Sequence, residues 1–348
     1  MKKTVIAMSG GVDSATAAAI LARNGLSLTG VTMQLWDDGS HCVSRQHMED
    51  AKKVADLLGI PHHVLDVHEE FRREVLDPSV EQYKNGRTPN PCVVCNQRVK
   101  MRTLLRYASE QQIQYVATGH YARTEYDGSR QRFLLKRGED QEKDQSYWLA
   151  MLSQEALSRI LLPLGSYSKT EVRELALEFG LSPAHKRESQ DVCWLGNFQG
   201  FVRMHLEPRP GPIVDNHGTV VGEHRGVQFY TVGQRKGLRI ASSDPLYVVR
   251  IDGDRNILFV GEQRELYGTG FRASQPNWIG IQSLMSPLEV DVKIRYRGAA
   301  SKALIRRNGD GVSVQFFEPQ RAITPGQLAV FYRDDEVIGS AWIDTIAR

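Results

Sequence analysis

The chain has 348 residues, 41% hydrophobic and 24% charged, with a formal net charge of only +3. That length predicts two or three domains, and the composition is that of a water-soluble globular chain. No stretch is long and apolar enough to span a bilayer. Met1-Lys2-Lys3 runs straight into a predicted strand without an apolar signal region, so a cytoplasmic location is expected. Four cysteines in such a chain point to catalysis, metal or redox chemistry rather than to a disulfide framework. Residues 196–348 hold 19 Lys+Arg against 16 Asp+Glu, and 16 of those 19 are Arg. Arg suits phosphates and base edges, so a nucleic-acid partner is permitted but not established by charge.

The first half alternates strands and helices. Thr4-Val5-Ile6 reads as a strand, followed by Ala7-Met8-Ser9-Gly10-Gly11-Val12-Asp13-Ser14 and an alanine-rich helix over Ser14–Asn24 that stops at Gly25. Strand, glycine turn and helix N-terminus together suit a phosphate, sterically and electrostatically. The spacing is neither a Walker A loop nor GxGxxG. Further strands are expected at Leu28–Leu35, His63–Val67 and Gln114–Thr118, and helices at Met48–Leu58, Asn96–Glu110, Glu155–Ile160 and Lys169–Phe179. This alternation predicts an α/β domain with a mostly parallel sheet and its ligand at the carboxyl ends of the strands.

After about Leu195 the texture turns to Gly, Pro and β-branched alternation. Pro208–Pro212 reads as a linker or rigid turn. Short strands are expected at Gly226–Val232, Leu246–Ile251, Ile257–Val260, Leu288–Tyr296, Ser301–Arg306, Gly311–Phe317, Gln327–Tyr332 and Val337–Ile343, which argues for a small barrel.

Cys92 and Cys95 form a Cys-x-x-Cys within Thr88-Pro89-Asn90-Pro91-Cys92-Val93-Val94-Cys95-Asn96. With the helix starting at Asn96, Cys95 would sit at its N-terminus, a setting that stabilises a thiolate, with Arg98 and Lys100 nearby. Structural zinc is the competing reading, although no second Cys-x-x-Cys or His pair accompanies it. Cys193 lies in Ser189-Gln190-Asp191-Val192-Cys193, and Cys42 reads as a small buried residue.

Ser9–Ser14 resembles the PP-loop of ATP pyrophosphatases, which adenylate a substrate oxygen and release PPi. Adding Asn90-Pro91-Cys92, Cys95-Asn96, Thr118-Gly119-His120-Tyr121-Ala122, Lys143-Asp144-Gln145, Tyr230–Arg235, Arg295-Tyr296-Arg297 and Pro325-Gly326-Gln327, the chain closely resembles the bacterial tRNA-uridine 2-sulfurtransferase (tRNA-specific 2-thiouridylase) family nearly end to end. The resemblance implies a PP-loop domain over residues 1–195, a central β-rich domain over 196–275 and a C-terminal β-barrel over 276–348. It implies ATP- and Mg2+-dependent 2-thiolation of the wobble uridine in tRNAs for Lys, Glu and Gln, with a cysteine desulfurase or relay protein supplying sulfur. Ala7–Ser14, Met33 and Gly119 would hold ATP, with Asp13 helping to hold Mg2+. Cys95 would be the nucleophile and Cys193 the persulfide carrier. Asn90, Pro91 and Cys92 would meet the target base. His120, Lys143, Asp144, Gln145, Arg295, Tyr296 and Gln327 would contact tRNA. Many members carry Asp where this chain has Cys92. Two routes therefore stay open: a persulfide on Cys193 assisted by Cys95, or a 4Fe–4S cluster on Cys92, Cys95 and Cys193. The alternative function is a PP-loop amidotransferase-type ligase on a small substrate, for which no glutaminase domain is visible.

Overall fold

The computed structural model describes residues 2–35, 45–181 and 206–347. Cys42, Cys193 and the Ser189–Cys193 motif lie outside the described residues. Two compact units are present. One comprises Met1–Val75, Cys92–Gly196 and Asp335–Val337. The other comprises Leu76–Pro91, Asn197–Asp334 and Ile338–Arg348.

In the first unit the elements run β1 (Lys3–Ala7), α1 (Val12–Arg23), β2 (Ser27–Gln34), α2 (Arg45–Leu57), β3 (His62–Asp66) and α3 (His68–Phe71). Within the second unit α4 spans Asp77–Lys84. Then follow α5 (Pro91–Val94), a π-helical segment Cys95–Met101, α6 (Arg102–Glu110), β4 (Tyr115–Ala117), β5 (Ala122–Asp127), β6 (Arg132–Arg137), α7 (Ser146–Leu149), α8 (Gln154–Arg159), β7 (Ile160–Leu161) and α9 (Lys169–Glu178). The sheet order is β3-β2-β1-β4-β7, and every pairing in it is parallel. The chain winds outward from β1 through β2 to β3, then crosses to the other side of β1 with β4. The carboxyl ends of β1 and β4 thus flank a topological switch point, where open parallel sheets take their ligands.

α1 owes its place to its alanines. Ala15, Ala17, Ala18 and Ala19 are all buried, with Ile20 and Leu21 completing the apolar face against the sheet and α9. Side chains this small let neighbouring backbones approach closely.

In the second unit, β8 (Gly211–Val214), β9 (Val220–His224), β10 (Tyr247–Asp252) and β11 (Ile257–Gly261) form a sheet in the order β10-β11-β8-β9 around Ile213, Val248, Leu258 and Val260. The remaining strands are β12 (Tyr267–Trp278), β13 (Leu288–Lys293), β14 (Ser301–Asn308), β15 (Gly311–Arg321), β16 (Leu328–Arg333) and β17 (Glu336–Ala347). They run β12-β15-β14-β13-β16-β17, and β12 also pairs with β17, closing a six-stranded antiparallel barrel. Closure removes exposed strand edges. Phe271, Val292, Ile305, Phe331 and Ile343 fill its core.

The parallel-sheet domain, central β region and barrel agree with the sequence reading, but several elements differ. Gly226–Val232 is not a strand. Gly226 takes φ 143°, and Val227–Phe229 form a 3-10 turn. β8 begins at Gly211, inside the expected linker. The β5–β6 hairpin and β12 were not anticipated, the first because charged residues alternate through it, the second because Gly268, Gly270 and Pro276 interrupt its pattern.

Phe331 is 0% exposed in the barrel core. Phe331→Ala should lower unfolding stability of that unit by about 3–5 kcal/mol, read as a lower urea midpoint at unchanged m-value.

Candidate active site

The loop after β1 is fixed by its own small side chains. Ser9 N donates to Ser14 Oγ at 3.1 Å, the two hydroxyls lie 3.1 Å apart, and Ser14 Oγ donates to the Gly11 carbonyl at 3.1 Å. Gly10 has φ +73°, and a Cβ there would stand 2.2 Å from the His47 carbonyl oxygen. Gly11 is the N-cap of α1 and offers no side-chain cap. The first-turn amides are therefore left for an external acceptor, aided by the helix dipole. This arrangement fits the phosphates of ATP.

Neighbouring strands hold the loop in place. Thr32 Oγ1 on β2 donates to the Met8 carbonyl at 2.7 Å, so its oxygen accepts from His62 Nε2 at 2.8 Å. Burial, and then the nearby Lys52 charge, lowers the His62 pKa, which favours the neutral ring. Met33 lies near the carboxyl end of β2, opposite Leu65. Gly119 follows β4, and a Cβ there would come within 2.9 Å of the Asp13 carbonyl carbon and the Ser14 nitrogen. Only glycine lets the two switch-point segments meet this closely.

Asp13 Oδ1 accepts the Tyr121 hydroxyl at 2.7 Å and pairs with Lys169 Nζ at 2.6 Å. Lys169 is 8% exposed. It is the first residue of α9, whose capping box joins Ser168 and Glu171, and its own amide donates to Asp140 Oδ2 at 2.9 Å. The loop carries no lysine, and the fold brings one to it from another helix. Sequence reasoning missed Lys169. Its one signal was the Ser168-x-x-Glu171 cap, which predicts a helix start and not the destination of the side chain. Asp13, Ser9 and Ser14 are hard oxygen donors that fit Mg2+, although a single carboxylate leaves most of such an ion's shell to phosphates and water.

The cysteine helix corrects one expectation. Pro91–Val94, Cys95–Met101 and Arg102–Glu110 are contiguous, so the helix begins at Pro91 and not at Asn96. Proline is pre-set for the first helical position. Cys92 lies in the first turn, and Cys95 sits inside the helix, 3% exposed, away from the N-terminal amides. Arg98 reaches Glu74 Oε2 at 3.8 Å. Cys92 and Cys95, three apart on a helix, share a face. The next residue, Asn96, is 5% exposed, and its Oδ1 has no hydrogen-bond partner among the described residues. A buried acceptor left this way calls for a ligand.

The residues expected at tRNA fall into two groups. Lys143 and Tyr296 are partly exposed. Others brace the backbone. Asp144, 3% exposed, accepts from Gly138 N, Ser146 N and Ser146 Oγ. Gln145 Oε1 accepts from Tyr121 N at 3.0 Å. Arg295 Nη2 donates to the Arg321 carbonyl at 2.6 Å. Gln327 Nε2 donates to the Thr88 and Pro89 carbonyls at 2.9 and 3.1 Å. His120 Nδ1 lies 2.8 Å from Thr118 Oγ1, and burial, with Lys100 as the smaller cause, pushes its pKa down to about 3.

Lys169→Met should cut kcat/KM for ATP by roughly tenfold to a hundredfold, because it leaves Asp13 without its cation. Lys169→Arg should recover part of the loss; equal activity in all three proteins would show the pair to be incidental. His120 has a second consequence. Unfolded, it titrates near 6.5; folded, near 3, so between these values only the unfolded chain holds the proton. Stability therefore falls as pH drops below about 6.5. In His120→Gln the urea midpoint should decline less steeply from about pH 6.5 to 4.

The chain is similar to known proteins over its whole length. Residues 2–197 match the family described as the tRNA methyl transferase HUP domain. Residues 199–262 match the tRNA methyl transferase PRC-barrel domain, and 268–343 the aminomethyltransferase beta-barrel domain. The tRNA-specific 2-thiouridylase MnmA 1 of Caldanaerobacter subterraneus subsp. tengcongensis is 45% identical over 359 residues, covering 99% of each chain. The tRNA-specific 2-thiouridylase MnmA of Moorella thermoacetica is 44% identical over 356 residues, covering 99% of this chain and 100% of the relative. Among solved structures, a 4-thiouridine synthetase–RNA complex with bound ATP aligns over 56% of this chain and 45% of its own, at 18% identity and a TM-score of 0.37. With full-length identity at this level over a PP-loop sheet, a β-rich middle and a closed barrel, the chain belongs to the tRNA-specific 2-thiouridylase family.

Proposed function

We propose that this protein performs ATP-dependent 2-thiolation of the wobble uridine in tRNAs for Lys, Glu and Gln. The observation that carries the reading is the uncapped α1 N-terminus, with Asp13 held by Lys169 and Tyr121, in a chain of this family. Uridine O2 attacks the α-phosphorus of ATP at the Ala7–Ser14 loop, and PPi leaves. Met33 and Gly119 border the nucleotide. Lys169 and the first-turn amides meet the negative charge that builds on the phosphates. Mg2+, when bound through the phosphates and Asp13, adds charge neutralisation there. O2 becomes part of AMP, a far better leaving group than oxide.

Sulfur follows as a persulfide on Cys193. Its terminal sulfur attacks C2 and expels AMP. The Cys95 thiolate then attacks the Cys193 sulfur, releasing 2-thiouridine and leaving a Cys95–Cys193 disulfide, which a dithiol reductant reopens. Cys92, with Asn90 and Pro91, borders the target base. His120, Lys143, Asp144, Gln145, Arg295, Tyr296 and Gln327 shape or contact the tRNA surface. The sulfur comes from a cysteine desulfurase or a relay protein. The second route, a 4Fe–4S cluster on Cys92, Cys95 and Cys193, is favoured by the presence of Cys92, which adds a third soft ligand beside Cys95. In this reading the chain has three domains, 1–195, 196–275 and 276–348, and works in the cytoplasm. Among the described residues no helix is long and apolar enough to cross a membrane.

Cys95→Ser and Cys193→Ser should each abolish thiolation of unmodified tRNA while tRNA affinity stays within about twofold, since neither residue is placed as a phosphate contact. Anaerobic purification with iron and sulfide analysis separates the routes. About four irons per chain, with activity lost on chelation, select the cluster; a persulfide trapped on Cys193 in iron-free, active protein selects the relay.

A further inference from the structure

In the second unit, residues 231–246 form a loop between the Val227–Phe229 turn and β10. The Gln234 side chain fixes its fold: Oε1 accepts from Thr231 N at 3.2 Å and Nε2 donates to the Lys236 carbonyl at 2.9 Å. Gly233 N and the Gln234 carbonyl pair with Val248, and Leu238 is buried in the core of the central sheet. Between these anchors Arg235, Lys236 and Arg239 are exposed, and none of them pairs with an acid among the described residues. Arg235 and Arg239 border a cleft of about 300 Å³ whose one carboxylate is Asp244. Arg239 holds φ +57°, a conformation that costs a non-glycine residue energy unless its surroundings impose it.

A fourth cation stands beside the loop. The Arg321 guanidinium lies 5.6 Å from the Tyr247 ring centroid, and its carbonyl is held by Arg295. Thr231, at the loop's start, shares a 2.7 Å hydroxyl–hydroxyl contact with Thr88. Thr88 N donates to the Pro325 carbonyl at 3.0 Å, and Gln327 grips the carbonyls of Thr88 and Pro89. One braced piece thus joins the cationic loop to the segment that continues into Asn90 and Pro91.

We propose that Arg235, Lys236 and Arg239, with Arg321 beside them, form a docking surface for the phosphodiester backbone of the tRNA. The surface rests on the function proposed above and deepens it. Unpaired, outward-facing Arg side chains on a rigid frame match phosphate oxygens through their planar fork. The brace through Thr231, Thr88 and Gln327 sets the register between docked backbone and the residues placed at the target base. Phosphate contacts of this kind position a nucleic acid without reading its sequence.

The test measures the affinity of the full-length protein for unmodified tRNA against salt. Arg239→Gly removes one cation and relieves the left-handed backbone, so folding is retained. A triple variant adds Arg235→Ala and Lys236→Ala. The slope of log affinity against log salt should become shallower by about 0.7–0.9 for Arg239→Gly and by roughly two or more for the triple variant. The triple variant should also bind at least about tenfold more weakly at about 150 mM salt. Unchanged slopes and affinities in both variants overturn the proposal. Unchanged tRNA binding with impaired sulfur delivery from a desulfurase also overturns it, moving the surface to a protein partner. Failure of the wild-type chain to bind tRNA would strike the parent function first, and this surface with it.

Discussion

One carboxylate oxygen ties the nucleotide-binding region together. Asp13 Oδ1, in the first turn of α1, receives both the Tyr121 hydroxyl from beyond β4 and the Lys169 ammonium from the start of α9. Three segments far apart in the chain converge on one atom. A largely buried lysine needs that anion, since an unpaired ammonium out of water costs several kcal/mol. The need runs both ways. The loop's geometry decides where Asp13 points, and Asp13 holds the ammonium that the α9 capping box places there. Gly119 completes the arrangement by letting the β4 exit lie on the Asp13–Ser14 backbone. The site is therefore rigid where phosphate charge must be met, and fixed dipoles and charges cost no reorganisation when the reaction occurs.

The second unit is built on a different device. Its critical segment, Thr88–Pro89, has no regular structure, and its backbone groups must still find partners. The Pro325 carbonyl accepts its amide, Gln327 donates to two of its carbonyls, and its hydroxyl shares a hydrogen bond with that of Thr231. Arg87 adds a hydrogen bond to the Ile343 carbonyl and an ion pair to Asp344 at 2.8 Å. A loop held from both the central sheet and the barrel presents Asn90 and Pro91 in one conformation. Pro89 and Pro91 further reduce the states open to it.

The parts legible in the sequence were those with local causes. Strand, glycine turn and alanine helix could be read because each step follows from period, φ and cap. Five of the six barrel strands, β13 to β17, could be read from alternation. What escaped was non-local. Lys169 sits 156 residues from Asp13, and nothing around it announces that its ammonium turns inward. Gln327 also braces Thr88 and Pro89 through its amide, a contact set by a partner 239 residues away. The start of the cysteine helix was missed because it was placed at Asn96, after Pro91, when proline serves well as a helix's first residue. The Ser189–Cys193 motif was legible only through its family likeness.

The π-helical turn at Cys95–Met101 gives that shift a chemical meaning. A wider turn rotates the residues after it relative to those before, and such turns concentrate at functional sites. Ahead of it, Cys92 stays part-exposed in the first turn; within it, Cys95 and Asn96 are both buried although adjacent. Burial slows the oxidation of a cysteine as effectively as it hides it from substrate. Cys95, placed inside the helix and away from its N-terminal amides, gains little from the helix dipole. Beside it Asn96 Oδ1, which has no hydrogen-bond partner among the described residues, marks a site whose hydrogen bonding is completed by what binds.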